Sequence, residues 1–224
     1  MATKGIEWVN EYHGRASDLS NNDNNAQGFY NRLSGTKRFE YGNDLAWDQD
    51  FEQSGSGSPS TGTDSSFADN VDIVFFSGHG SSSGMFFGRS DKDNGWAGPS
   101  ELGLGNKECE WLVVDACEFL TQSNVTNRLR GAFKGLHYIL GFHTTCLDVK
   151  DRGEKFAAKL NNSQTVRNAW INACAETEDS STECAYLRAD SSGTDTFSDH
   201  WHGKGFVSAD PTGSVSLIYL KTSC

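Results

Sequence analysis

The sequence is short of basic residues and of long apolar runs. Its 224 residues include 19 lysines and arginines against 30 aspartates and glutamates, so the formal net charge is −11. Nucleic acids and anionic membrane surfaces attract basic patches, and this balance argues against both as partners. No run reaches the roughly 18 consecutive apolar residues that a membrane-spanning helix needs.

The N-terminus also lacks the apolar segment of a secretory signal peptide. The sequence therefore predicts a soluble protein, either cytoplasmic or secreted with its leader removed, and leaves the oligomeric state open. The six cysteines form no Cys-x-x-Cys pair, which argues against a zinc ribbon and a thioredoxin motif. Cys174 and Cys184 flank a polar segment and are placed to form a disulfide in an oxidising compartment.

The length fits a single domain over residues 1–224. We expect an exposed Gly/Ser-rich loop near 54–66 and an irregular C-terminal extension from about residue 175. Short β-branched or aromatic runs alternate with segments of helical periodicity, which predicts an α/β fold with a mainly parallel central sheet and helices on both faces. The predicted strands cover residues 5–12, 37–41, 71–77, 111–116, 136–142, 183–189 and 214–220, and the predicted helices cover residues 26–33, 43–53, 123–133, 149–161 and 165–174.

Two of the predicted strands end in reactive side chains. The strand at 71–77 leads to His79, and the strand at 111–116 leads to Cys117. The carboxyl ends of strands in an open α/β sheet lie at one edge, where ligands bind. We therefore expect Cys117 to be a thiol nucleophile and His79 its general acid and base. The helix predicted after Cys117 would lower the pKa of the thiol through its dipole and free amides.

Backbone N–H groups near this pair are candidates for an oxyanion hole. Gly80 directly follows His79, and a glycine there lets the backbone approach a ligand closely. The N–H groups of Gly80 and Cys117 are the two donors we expect to hold a developing oxyanion. The third predicted strand, residues 136–142, delivers His143 and the residues after it to the same edge.

These two strand ends resemble the histidine and cysteine blocks of the caspase-like cysteine peptidases, a superfamily that includes caspases, legumains, gingipains and clostripain. The resemblance rests on Phe-Phe-Ser-Gly-His-Gly-Ser at 75–81 and Val-Val-Asp-Ala-Cys-Glu at 113–118. It implies a three-layer sandwich fold and a peptidase that cleaves through a thioester acyl-enzyme, with Cys117 as nucleophile and His79 as acid and base. The basic residues with which caspases hold an aspartate are not evident, so caspase specificity is not implied.

The resemblance also implies where substrate would bind. The pocket for the residue before the scissile bond would be lined by the loop after the third strand, which contains His143 and Thr144. Later loops would supply other walls, and the segment 199–204 is a candidate. There Trp201 offers a flat apolar surface and His202 offers a polar group.

Two other functions remain open on the residues alone. The first is a non-proteolytic enzyme that uses Cys117 and His79 for acid/base or acyl-transfer chemistry on a small molecule, since fold does not determine function. The second is a metal-binding or otherwise non-catalytic module. In it, zinc would be held by His79, Cys117 and one of His143, His200 or His202.

No cofactor is expected, with calcium as the one alternative. Segments 18–25 and 91–95 carry carboxylates and amides at turn positions, and such oxygens are calcium ligands. The spacing of the first matches no EF-hand. The second has the Asp-x-Asp-x-Gly spacing that begins a calcium loop but lacks the distal glutamate of an EF-hand, so the sequence predicts only a turn.

Overall fold

The computed structural model describes residues 1–55, 61–121, 124–191 and 194–224. The strands are β1 (Thr3–Trp8), β2 (Thr36–Gly42), β3 (Ile73–Ser77), β4 (His79–Ser81), β5 (Gly84–Phe86), β6 (Trp96–Ala97), β7 (Trp111–Asp115), β8 (Tyr138–Phe142), β9 (Glu183–Ser191), β10 (Thr194–Asp195) and β11 (Ser216–Ser223). The helices are α1 (Asn22–Arg32), α2 (Val125–Arg128), α3 (Arg152–Asn161) and α4 (Val166–Ala175).

Eight of these strands form one central sheet in the order β10-β9-β8-β7-β3-β1-β2, with β11 also paired to β9. Five neighbouring strands of this sheet run parallel to one another, namely β2, β1, β3, β7 and β8. Strand β9 is antiparallel to β8, and both β10 and β11 are antiparallel to β9. The prediction of a mainly parallel α/β sheet is confirmed, with an antiparallel side added after β8.

The two faces of the central sheet are covered differently. Strand side chains alternate between the faces, so that Phe75 and Val113 lie on one side while Phe76 and Val114 lie on the other. Helices α1, α3 and α4 pack on the first face. The second face is covered by short α2, by 3₁₀ turns and by a separate three-stranded sheet of β4, β5 and β6. Helices on both faces were expected, but long helices lie on only one.

Two of the predicted helices are replaced by tighter turns on that second face. Residues 43–53 form the 3₁₀ turns Asn43–Leu45 and Asp48–Asp50. This segment is rich in aspartate, whose side chain competes for backbone N–H groups, as Asp48 does for the N–H of Gln49 at 3.1 Å. In place of the helix predicted at 123–133, the described residues form the single turn of α2 and a 3₁₀ turn.

The C-terminal part of the chain contains the two strands predicted at 183–189 and 214–220. They correspond to β9 and β11, which pair along eight residues and enlarge the central sheet. The extension predicted from about residue 175 thus contains regular strands as well as loops. In the loop near 54–66, residues 56–60 lie outside the described ranges. The side chain of Asp64 in that loop is buried and accepts hydrogen bonds from Ser54. None of the helices described is both long and apolar enough to cross a lipid bilayer.

All six cysteines are free thiols. The side chains of Cys174 and Cys184 hydrogen-bond to each other and to that of Cys224, so the pair that the sequence placed together is in contact. Cys117 and Cys146 form a second close pair, with their sulfur atoms 3.6 Å apart.

Candidate functional site

The register of β3 and β7 brings the two predicted catalytic residues to one place. Ser77, the last residue of β3, lies opposite Asp115, the last residue of β7. The N–H of Gly78 donates to the carbonyl oxygen of Asp115 at 3.2 Å, which carries the pairing one step beyond the strands. His79 and Cys117 come next, and both line a cavity of about 120 Å³. The other lining residues are Leu19, Asn22, Asn25, Gly78, Asp115, Cys146, Leu147, Asp148, Val149 and Arg152.

Cys117 begins a turn and does not begin a helix. Residues 117–120 form this turn, in which Glu118 has a φ of +57°. The Glu118 N–H donates to the carbonyl oxygen of Thr144 at 2.9 Å, which fixes the turn against the loop after β8. Helix α2 begins only at Val125. The prediction that a helix N-terminus activates the thiol is therefore wrong, because the strand is followed by a turn.

Hydrogen bonds from Cys146, and not a helix N-terminus, lower the pKa of the Cys117 thiol. The Cys146 backbone N–H donates to the Cys117 sulfur at 3.2 Å. The hydrogen bond from the Cys146 thiol, helped by this N–H and opposed by burial, lowers the pKa of Cys117 to about 7. The same contact with Cys117, together with burial, raises the pKa of Cys146 well above its usual value. Of the two thiols, Cys117 is therefore the one that ionises near neutral pH.

The His79 ring is held by a backbone carbonyl. Its Nε2 lies 2.8 Å from the carbonyl oxygen of Ser17. A carbonyl oxygen only accepts hydrogen bonds, so Nε2 carries the proton in the neutral ring and Nδ1 is the nitrogen that can accept one. The ring also packs on Tyr12 with centroids 4.7 Å apart, and the His79 N–H donates to the Tyr12 hydroxyl at 2.7 Å. These contacts fix the orientation of the imidazole ring at the cavity.

Gly80, one of the two expected oxyanion donors, packs against the chain segment that carries Cys117. A Cβ placed on Gly80 would come within 2.8 Å of the Ala116 Cβ and 3.5 Å of the Cys117 carbonyl oxygen, so Gly80 packs directly against the backbone that follows β7. Within the described ranges, no group accepts a hydrogen bond from the Cys117 N–H. The role of Gly80 and Cys117 as an oxyanion hole stays a prediction.

A buried network under the cavity was not predicted from the sequence. Asp115 accepts a hydrogen bond from the Asn25 side chain at 2.7 Å and forms an ion pair with Arg152. Arg152, only 1% exposed, also pairs with Glu178. These residues come from α1, α3 and the segment after α4, and nothing in the local pattern connects them with β7. The only signal was a set of amides in residues 18–25, which we interpreted as a possible calcium loop.

Calcium binding by residues 18–25 stays a prediction, and the structure gives two of these amides another role. Most of the amides belong to the first turn of α1, and two of them face the interior. Asn22 donates to the carbonyl oxygen of Val9 at 2.8 Å, and Asn25 donates to Ser77 and Asp115. Their oxygens are used as well, since Asn22 accepts from Ser77 at 2.8 Å. The segment therefore joins α1 to the strand ends and serves as structural support of the site.

Of the predicted substrate-binding residues, Thr144 and His143 lie at this edge. Thr144 accepts the Glu118 N–H, as described above. The His143 ring points toward β9 and β11, with Nδ1 3.1 Å from the Tyr219 hydroxyl and Nε2 3.6 Å from a Glu183 carboxylate oxygen. Neither side chain is among those that line the 120 Å³ cavity. The loop after β8 therefore lies at the predicted edge of the sheet, but the side chains of His143 and Thr144 do not line the cavity that contains Cys117 and His79.

Trp201 and His202 lie at the opposite edge, so their prediction as substrate-binding residues for this cavity is wrong. Trp201 is 1% exposed and offers no open surface. The His202 Nε2 is 3.0 Å from Asp72 and 3.2 Å from Glu110, the residues that precede β3 and β7. The reason is strand direction. Because β9 runs antiparallel to β8, the chain that follows it returns to the amino edge of the parallel strands.

The amino edge contains a larger cavity, of about 810 Å³. Trp201 and His202 contribute to its wall, together with Asp72. It contains neither of the predicted catalytic residues. The other lining residues are Met1, Ala2, Thr3, Ser34, Gly35, Arg38, Asn70, Glu108 and Gly203. The larger of the two cavities is therefore the one that lacks Cys117.

Two groups of side chains in the described part of the chain have a geometry that could hold a metal ion. One is the set at the amino edge, Asp72, Glu110 and His202. The other consists of Asp48, Glu52 and Asp93, on the irregular face of the sheet. Neither includes Cys117 or His79, so the structure gives no support to a zinc site built on that pair.

Comparison with known proteins shows the family of the chain. The sequence profile of a family described as "Domain of unknown function (DUF6345)" matches residues 6–223. The chain therefore belongs to this family, and the match includes every residue of the site described above. A search of the curated proteins found no match.

Proposed function

We propose that the chain is a thiol-dependent hydrolase related to the caspase-like cysteine peptidases, with Cys117 as nucleophile and His79 as general acid and base. The observation that carries the proposal is the cavity at the ends of β3 and β7, which is lined by both a thiol with a lowered pKa and an oriented imidazole. Perturbed thiols in clefts are typical of catalytic sites. The second support is the resemblance to that superfamily of the two sequence blocks at 75–81 and 113–118.

The proposed reaction begins with attack of the Cys117 thiolate on a substrate carbonyl carbon. With a pKa of about 7, a large share of this thiol is ionised at neutral pH. The N–H groups of Cys117 and Gly80 hold the oxyanion, and protonated His79 gives its proton to the leaving group. A thioester forms, and neutral His79 then takes a proton from the water that hydrolyses it.

The Asp115–Arg152 network has a positioning role in this scheme. Asp115 ends the strand that carries Cys117, and its two carboxylate oxygens are held by Asn25 and Arg152. A fixed carboxylate two residues before the nucleophile limits movement of the turn. The network thereby keeps the thiol in place relative to the His79 ring.

A peptide bond is the substrate that the resemblance favours. The small cavity favours a second candidate, which is acyl transfer or hydrolysis on a small molecule. Pockets that enclose drug-sized ligands occupy about 300–1,000 Å³, whereas this cavity measures about 120 Å³. It has room for one side chain or a small acyl group, with the rest of a peptide lying outside it.

Active-site labelling tests the proposal and separates the two candidates. The protein would be treated with a panel of peptidyl acyloxymethyl ketones and, in parallel, with iodoacetamide and small activated thioesters, and adducts located by peptide mass spectrometry. The peptidase proposal predicts that peptidyl reagents modify Cys117, with rates that depend on the peptide. The matched control is Cys117→Ala, which should lose the adduct.

Modification of Cys117 by the small acyl donors but by none of the peptidyl reagents would favour the small-molecule enzyme. If no electrophile in the panel modifies Cys117 faster than the buried Cys109, both enzyme proposals fail. Cys109 is a suitable internal standard because burial raises the pKa of its thiol well above the usual value.

A further inference from the structure

Three carboxylates from separate segments converge on the irregular face of the sheet. Asp48 opens a 3₁₀ turn, Glu52 follows that turn, and Asp93 lies in the connection between β5 and β6. One carboxylate oxygen of each lies within 4.8 Å of the other two. Asp48 and Glu52 are completely buried, and Asp93 is 8% exposed. The convergence is therefore inside the protein and not on a solvated acidic surface.

Glu52 has the least satisfied side chain of this group. Both of its carboxylate oxygens are buried without a permanent hydrogen-bond donor among the described residues, and the polar group in hydrogen-bonding reach is another carboxylate, that of Asp93. Burial and the nearby carboxylates of Glu101, Asp48 and Asp93 raise the pKa of Glu52 to about 9. Buried carboxylates in proteins are normally paired, hydrogen-bonded or bound to a metal. The bare oxygens of Glu52 point to a missing positive partner at the centre of the cluster.

We propose that Asp48, Glu52 and Asp93 form a binding site for a divalent cation, and specifically for Ca²⁺. Ca²⁺ is coordinated by oxygen at about 2.3–2.6 Å, so two ligand oxygens on one ion lie at most about 5 Å apart, as the 4.8 Å limit allows. Mg²⁺ keeps several waters and takes one or two carboxylates, so three buried carboxylates suit Ca²⁺ better. The all-oxygen set also disfavours zinc, which prefers nitrogen and sulfur.

Backbone donors already orient one of the ligands. The two Asp48 oxygens accept from the N–H groups of Gln49 at 3.1 Å and Gly95 at 2.6 Å, and each oxygen keeps a lone pair for a cation. Gly95 ends the turn of residues 91–95, and of the two aspartates in this turn Asp93 belongs to the cluster. The other two carboxylates, Asp48 and Glu52, come from an earlier part of the chain.

The site would fasten the small sheet to the rest of the fold. Asp93 lies in the connection that enters β6, β6 pairs with β5, and β5 pairs with β4, which begins at His79. A cation shared by Asp48, Glu52 and Asp93 would join this sheet to the segment after β2. The inference does not depend on the thiol chemistry, and its test uses no catalytic readout.

Metal binding can be measured directly on the purified full chain after dialysis against EGTA. Calorimetric titration with Ca²⁺ and with Mg²⁺ would be paired with Tb³⁺ luminescence, sensitised by Trp47 next to Asp48. We expect one Ca²⁺ per chain, weaker Mg²⁺ binding, and Tb³⁺ emission that Ca²⁺ displaces. At 100 times the dissociation constant, Ca²⁺ should raise the melting temperature by roughly 5–10 °C.

The variant Glu52→Gln keeps the shape of the side chain and removes its charge. It should weaken Ca²⁺ binding by roughly tenfold or more and remove the Ca²⁺ dependence of the melting temperature. Asp91→Asn is the matched control, because Asp91 lies in the same turn but is exposed and paired with Arg89. It should bind Ca²⁺ as the wild type does. If Glu52→Gln does not fold, Asp93→Asn serves the same purpose.

Two results would overturn the proposal. One is an unchanged melting temperature and no heat of binding with Ca²⁺, together with a Glu52→Gln variant that is more stable than the wild type. That combination would show that Glu52 and Asp93 share a proton in place of a cation. The other is Ca²⁺ binding that Glu52→Gln and Asp93→Asn both leave unchanged, which would place the ion elsewhere.

Discussion

The two ends of β7 carry similar groups in different surroundings. At the carboxyl edge, Asp115 pairs with Arg152, which also pairs with Glu178. At the amino edge, Glu110 pairs with His202, which also pairs with Asp72. Each end of the strand thus has a cation between two carboxylates. Arg152 is buried and permanently charged, whereas the His202 side chain is 32% exposed and loses its charge within an accessible pH range.

Because of this difference, the Arg152 network can serve as structural support, whereas the charge of the His202 network changes with pH. At the carboxyl edge the buried cation Arg152 keeps its charge, and the pKa of the nearby Cys117 thiol is lowered to about 7. A permanent charge beside the strand that carries Cys117 suits a site in which this thiol changes its protonation state. At the amino edge the cation itself titrates, next to a larger and more open cavity. The smaller cavity is therefore the better candidate for chemistry.

The largest expected effect is a difference in catalytic activity between substitutions of His79, at the carboxyl edge, and His202, at the amino edge. His79→Ala should reduce kcat/KM by about 10²–10⁴-fold, since general acid/base catalysis contributes about that much. His202→Ala, at the far end of β7, should leave kcat/KM within about twofold. The measurement is steady-state kinetics with a substrate that the labelling panel identifies. Equal losses in the two variants would remove the functional distinction between the edges.

The next largest effect concerns the buried cation. Arg152→Met leaves the Asp115 and Glu178 carboxylates buried without their partner and should lower the free energy of unfolding by about 3–5 kcal/mol. Lys155→Met on the same helix removes an exposed pair with Asp151 and should cost less than about 1 kcal/mol. Urea unfolding at pH 7 measures both. An Arg152→Met cost as small as that of the control would mean that the network is not structural support.

A smaller effect is expected at the thiol pair. Cys146→Ala removes the thiol hydrogen bond but keeps the backbone N–H, so the pKa of Cys117 should rise above its value of about 7. Alkylation by iodoacetamide at pH 6.5 should then slow by about tenfold for each unit that the pKa rises. Cys146→Ser keeps a donor and should stay close to the wild type. The pH dependence of the alkylation rate gives the midpoint, and an unchanged midpoint in Cys146→Ala would assign the activation to another group.

The sequence was sufficient for the parts of the site that depend on local pattern. The apolar runs that end at His79 and Cys117 predict two buried strands, and parallel strands end at one edge whatever the rest of the fold is. Helices α3 and α4 were also predicted within three residues of their observed bounds, because their apolar residues recur at helical spacing.

The features of the site that the sequence did not predict depend on contacts between distant segments of the chain. Trp201 and His202 were assigned to the wrong edge because an apolar run carries no information on the direction of its strand. The activation of Cys117 was assigned to a helix, whereas the donor is Cys146 on the next loop. The role of Arg152 depends on where α3 packs. In each case the residue type was visible, but its neighbour was set by tertiary packing.

The smallest effect is a pH dependence that only the amino edge should show. Hydrogen bonds with Asp72 and then Glu110 raise the pKa of His202 to about 10. The pKa of an unfolded histidine is about 6.5, so the stabilising charge is fully present below about pH 6.5 and is lost as the pH rises through about 10. Because the side chain is about one third exposed, solvent screening limits the contribution to roughly 1 kcal/mol.

The measurement for this last effect is the difference in unfolding free energy between the wild type and His202→Asn, at pH values from 6 to 10. Other groups titrate over this range, but they do so in both proteins and cancel in the difference. The wild type should be more stable by roughly 1 kcal/mol at pH 6, and the gap should narrow as the pH rises. The gap between the wild type and Lys155→Met should stay constant between pH 6 and 8, because neither Lys155 nor its solvated partner Asp151 changes charge there. A His202 gap that is equally constant would mean that the two ends of β7 do not differ as their structures indicate.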